Sequence, residues 1–180
     1  MTKKFAKGFT LVELLIVIAI IAILAAVVVL IVNPLELTRR SRDSARLTDL
    51  ANIQQAINIS LQEGSAAGQL SPACNDNTAT DVTCTDNSVA GSRAVNGTGW
   101  VKINFAGQSN VTVPVLSVDP TNNTTTGYYY RYCGNGTNWR ILTNLESEKE
   151  KARESVDGGL DAAHYEVGSD LTSTWAFCTW

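Results

Sequence analysis

One carboxylate in this chain stands where carboxylates are costly. Glu13 lies within KGFTLVELLIVIAIIAILAAVVVLIVNP, residues Lys7 to Pro34, and the nineteen residues from Leu14 to Val32 carry neither a charge nor a strong polar group. An ionised side chain in an apolar surround is far more costly than a paired one, so Glu13 calls for a partner or a task. Other groups capable of chemistry are sparse. His164 is the only histidine; with no recognisable nucleophile or clustered acid to complete a catalytic set, it reads as a packing or solvent-facing residue. Cys74, Cys84, Cys133 and Cys178 include no C-x2-C pair and make no zinc site. Outside the cytoplasm they can oxidise; of three possible connectivities the favoured one joins Cys74 to Cys84 and Cys133 to Cys178. Asp157, Gly158, Gly159 and Asp161 form an acidic turn, with Glu166 and Asp170 following. A calcium loop takes about six to eight oxygens, and the twelve-residue loop pattern is missing. Asp157 and Asp161 therefore read from the sequence as parts of a plain surface turn, with calcium kept open as an alternative, and no other cofactor is expected.

The apolar run is long enough, at ~1.5 Å per residue, to cross most of a ~30 Å hydrocarbon core. A secretory signal would have Lys3, Lys4 and Lys7 as its basic end, but its apolar part is shorter and ends at a small-residue cleavage site, which this run lacks. A plain anchor accounts for the length, and the lysines favour a cytoplasmic N-terminus. It leaves Glu13 unexplained. A core helix apolar on every side belongs to a larger protein.

Gly8, Phe9, Thr10, Leu11, Val12 and Glu13, behind a basic leader and ahead of the apolar run, resemble the class III signal of type IV prepilins and pseudopilins. The resemblance covers roughly the first 35 residues. It implies cleavage between Gly8 and Phe9 by a membrane aspartyl peptidase, N-methylation of Phe9, and packing of the mature helices into a filament core. Gly8, without a side chain, can enter a protease cleft closely. Glu13 can then neutralise the new Phe9 amine, of its own chain or of a neighbour, and so act as a register device for assembly. The implied partners are copies of the same chain in a helical filament, the peptidase and N-methyltransferase, the pilus assembly machinery, and membrane lipid before assembly. The implied location is single-pass in the cytoplasmic membrane, then a cell-surface filament.

Charge is segregated. The net charge of −3 hides a leader with three lysines and no acid, while residues 65–180 carry twelve acidic against seven basic residues. An acidic head offers no broad nucleic-acid surface, although a small repeated patch for DNA is left open.

Asn33 and Pro34 predict a kink or helix boundary after the apolar run. From Leu35 to Glu63, Leu47, Leu50, Ile53, Ile57 and Leu61 recur at intervals of three and four, the stripe of an amphipathic helix stopped at Gly64. Arg39, Arg40, Arg42 and Arg46 fit anionic lipid or the acids of neighbouring subunits. Leu70 to Gly99 reads as a loop region. Strands are predicted at Trp100–Phe105, Val111–Val115, Tyr128–Cys133 and Asn138–Leu145, the last two flanking a turn-prone GNGT. The segment SVDPTNNTTTGYYYRY from Ser117 resembles the Asp-Pro, Asn and tyrosine-strand pattern of the major pseudopilin and similar pilins. The charged run ESEKEKARES after Leu145 reads as a solvated loop or short helix.

These readings combine into an α+β subunit: a long N-terminal helix, membrane-spanning in one half and amphipathic in the other, packed on an antiparallel sheet of three to five strands. The expected division is 1–8 cleaved leader, 9–34 transmembrane and filament-core helix, 35–64 amphipathic half and 65–180 extracytoplasmic head. The expected function is structural, a type IV pilus-like filament subunit and no enzyme. The alternatives are a pseudopilin of a type II secretion system and a membrane-anchored extracellular ligand-binding module.

Overall fold

A computed structural model describes residues 8–63, 87–110, 112–134 and 138–174. The chain divides after Thr38 into two compact units. In the first, α1 (Leu11–Val32) has an extended N-cap at Thr10 and ends at Asn33, whose φ of 41° and ψ of 78° are left-handed. Asn33 then serves a second helix, α2 (Pro34–Gln62): its side-chain oxygen accepts from Glu36 N at 3.3 Å. Pro34 is the first residue of α2, where its missing N–H has no intrahelical bond to forfeit. The break expected at Pro34 is thus a full interruption, set by a left-handed residue with a proline behind it.

The second unit is α+β. Strands β1 (Arg131–Gly134), β2 (Trp139–Thr143) and β3 (Tyr165–Gly168) form an antiparallel sheet in that order. Tyr132 lies opposite Ile141, and Ile141 opposite Val167. This row faces the core with Trp139, and α2 covers it through Leu50, Ile53, Ala56 and Ile57. Between β2 and β3 sits a single helical turn, α3 (Glu148–Lys151), N-capped by Ser147.

Three expectations need correction. Trp100–Phe105 buries Trp100, Val101, Ile103 and Phe105, yet it is no strand, and neither are residues 112–115. Single backbone bonds, Trp100 N to Ser92 O at 2.8 Å and Phe105 N to Val95 O at 2.7 Å, replace a continuous ladder. The burial was readable; the pairing was not, because it depends on a neighbour without strand periodicity. Conversely β3 forms just after the acidic turn, where no strand is predicted, because Val167 completes the core row while Glu166, on the other face, meets Arg140. The charged run does form the short helix α3, but it is not solvated throughout: Glu146, Ser147 and Glu154 are buried.

Candidate functional site

The N-terminal residues are organised by a capping box. Thr10 Oγ1 accepts from Glu13 N at 3.2 Å, and the Glu13 carboxylate accepts from Thr10 N at 2.9 Å and from the Thr10 hydroxyl at 2.7 Å. Thr-x-x-Glu ahead of an apolar run is the sequence signature of this motif and could have been read directly. It gives the lone acid of α1 a local answer: the carboxylate is held at the positive end of its own helix, against donors that helix geometry leaves unpaired. Residues Leu11–Val29 form a stretch long and apolar enough to cross a membrane, with none of it buried in its own unit. Phe9 is 86% exposed. Around Gly8 a Cβ would meet nothing within 4 Å. The fold itself therefore makes no demand for glycine at that position.

The head holds a denser polar centre. Arg46, fully buried on α2, donates Nε to Asp119 Oδ2 at 2.6 Å, Nη2 to Asp119 Oδ1 at 3.0 Å and Nη1 to Asp43 Oδ1 at 2.8 Å. It also pairs with Glu146 Oε1 at 2.6 Å, and its guanidinium lies 5.0 Å from the Tyr128 ring centre. Arg42 bonds the same Glu146 carboxylate. Asp43 spans onward to the N–H groups of Glu146 and Ser147, the latter at 2.7 Å. Asp119 closes its own Asp-Pro turn by accepting from Thr121 N at 2.7 Å and Asn122 N at 3.1 Å. Burial alone would raise the Glu146 carboxyl, but the hydrogen bonds from Arg42 and Arg46 hold it down at about 2. Burial likewise opposes the charge on Arg46, and the bonds and charge of Asp119, with Glu146 and Asp43, more than offset it, so the guanidinium is held above its ordinary value. Arg42 and Arg46 are thus committed within the chain, which corrects their reading as lipid or neighbour contacts. The cluster ties α2 to the Asp-Pro turn and to the residues after β2.

The other candidates separate. Asp157 accepts from Gly159 N at 2.8 Å and Glu166 N at 2.6 Å; Asp161 accepts from Ala163 N at 3.0 Å and faces His164 Nδ1 at 2.6 Å. These carboxylates are occupied by the turn and strand they organise. Among the described residues no three His, Cys, Asp or Glu side chains gather as metal ligands. The Glu166 carboxylate accepts from Arg140 Nη1 at 3.1 Å, and burial pushes it up. Cys133 is buried in β1 and disulfide-bonded. Cys74, Cys84 and Cys178, and with them both expected pairings, lie outside the described residues, as does the stop at Gly64.

Comparison with known families matches residues 3–29 to the prokaryotic N-terminal methylation motif. Neither a curated protein nor a solved structure matches the chain. The match supports a type IV prepilin-like class III signal, carried by type IV pilin-like and pseudopilin precursors, and implies processing by a prepilin peptidase.

Proposed function

We propose that the chain is a structural subunit of a type IV pilus-like filament, cut between Gly8 and Phe9, methylated on Phe9 and polymerised through α1. The observation that carries this reading is an uncovered apolar helix whose one acid is held at its N-terminal end beside the expected cut. An apolar surface of that length needs a solvent other than water. Lipid supplies it before assembly, and the helices of sister subunits supply it afterwards. Once Phe9 becomes the terminus, its cation lies four residues from Glu13 along the chain. Glu13 can then exchange its bond with Thr10 for the amine of its own or an adjoining subunit. The open space around Gly8 supports a glycine kept for the peptidase and not for the fold.

Intact mass of the chain from its native membrane tests the reading. The expected product lacks Met1–Gly8 and carries one methyl on Phe9; a retained leader supports an ordinary membrane anchor instead. Glu13→Ala should insert normally yet lose filaments, and undiminished filaments would remove the register role. A pseudopilin is the second reading, favoured by the Asp119-Pro120 turn and the tyrosine-rich segment after it. Negative-stain images separate the two, because long surface fibres belong to a pilus and short periplasmic assemblies to secretion.

A further inference from the structure

The sequence contains six Asn-x-Ser/Thr triplets, at Asn58, Asn96, Asn110, Asn122, Asn123 and Asn135. Such triplets are acceptors for sugar on the asparagine amide only where the side chain and the hydroxyl residue are presented at a surface. The fold sorts them. Asn58 sits within α2 and its partner hydroxyl, on Ser60, is buried and bonded to Gln108. Asn122 spends both ends of its amide on Ser88: Oδ1 accepts from the Ser88 hydroxyl at 2.6 Å and Nδ2 donates to the Ser88 carbonyl at 3.1 Å. The middle residue of the Asn110 triplet and the whole Asn135 triplet lie outside the described residues.

Asn96 and Asn123 are different. Asn96, Thr98, Asn123 and Thr125 are all exposed. Asn96 Oδ1 accepts from Thr98 N at 3.2 Å and from the Thr98 hydroxyl at 2.6 Å, with Gly97 at φ 86° completing the turn. Asn123 Oδ1 accepts from Thr125 N at 2.8 Å. In both, the amide oxygen is engaged by the triplet's own third residue, while among the described residues no group accepts from Nδ2. Attack at the nitrogen therefore displaces no hydrogen bond of its N–H groups among the described residues.

We propose that Asn96 and Asn123 are acceptor sites for N-linked sugar. The co-reactant is a glycosyl diphosphate. Nδ2 forms a bond to the anomeric carbon as that carbon's bond to the phosphate oxygen breaks; the diphosphate leaves with the electron pair, and one Nδ2 proton passes to a base of the transferase. The Thr98 hydroxyl, bonded to the Asn96 oxygen, fixes the amide plane and ties the third residue of the triplet to the acceptor side chain. The proposal needs only the folded head and does not depend on filament formation.

The test is peptide mass mapping, with fragmentation that retains side-chain modifications, of the full chain purified from the cells that make it. The expected result is whole-sugar increments on Asn96 and Asn123, with Asn58 and Asn122 unmodified. Thr98→Ala should abolish the increment on Asn96, and Thr98→Ser should keep it. Thr125→Ala should abolish that on Asn123 even though the Asn122 triplet, which uses Thr124, is intact. Increments in successive single sugars mark a nucleotide-linked donor; one block of fixed mass marks a lipid-linked donor. Unmodified mass at either asparagine, its conversion to aspartate, or sugar found instead on Ser or Thr hydroxyls overturns the assignment of that site.

Discussion

Replacing Arg46 by Met should unfold the head's polar centre while retaining the aliphatic volume of the side chain. Three carboxylates, those of Asp43, Asp119 and Glu146, lie within 2.6–2.8 Å of the guanidinium, and Arg46, Asp43 and Asp119 have no exposed side-chain surface. Removing one partner from such a group leaves uncompensated buried charge, at a cost of about 3 to 5 kcal/mol. Asp43 and Asp119 keep their backbone donors and Glu146 keeps Arg42, which places the value toward the lower end. On a head of this size the melting temperature should fall by about 10 °C or more. The pH dependence provides a second reading of the same change. In the parent chain Glu146 titrates near 2 when folded, below its ordinary 4.5, so its contribution is complete above pH 4.5 and is lost as pH falls toward 2. In Arg46→Met the crowded carboxylates bind protons more readily folded than unfolded, so acid stabilises the variant relative to the parent. Urea unfolding of the full chain in detergent micelles, followed by tryptophan fluorescence at several pH values, measures both. A loss below about 1 kcal/mol at neutral pH, or a gap between the two proteins that fails to narrow in acid, would refute the buried-clamp reasoning.

Thr10→Ala should weaken the start of α1 by about 1 kcal/mol, the usual worth of an N-cap hydroxyl, seen as faster amide exchange at Glu13 and Leu14 in micelles. Gly159→Ala drives a Cβ into the Glu166 carboxylate, which Arg140 and the Asp161 N–H hold in place. Thermal unfolding should register a loss of about 1 to 3 kcal/mol, whereas Gly158→Ala, at φ 92° in open space, should lose about 1 to 2 kcal/mol through backbone strain alone. Tyr130→Phe removes the phenol donated to Asp49 at 3.0 Å, a group pushed upward in pKa by burial and then by the Asp49 charge. Its urea midpoint should fall by an amount equivalent to about 1 kcal/mol.

How far the sequence could be read varies along α2 itself. The middle of its buried stripe, Leu50, Ile53 and Ile57, was visible as periodic apolar residues. The ends were misassigned, since the true phase continues through Asp43 and Arg46 at one end and Ser60 at the other, while Leu61 is 36% exposed. Apolar periodicity cannot report a buried ion cluster, because its partners come from segments 73 and 104 residues away in sequence. The same limit hid β3, whose strand character rests on Val167 meeting Ile141 and Glu166 meeting Arg140. The signal at Gly8 to Glu13 was legible because every element of it is local.

The Arg46 clamp also sets an order of events during synthesis. Its last acid, Glu146, follows Arg46 by a hundred residues, which at about 5 to 20 residues per second leaves the guanidinium without that ligand for ~5 to 20 seconds. Throughout that interval the nascent α2 also lacks Val167 of β3, the last member of the core that buries Leu50, Ile53 and Ile57. Docking of this helix must wait for the back of the polypeptide to emerge, so a ribosome stalled before Glu146 would present a folding intermediate open to chaperones and proteases.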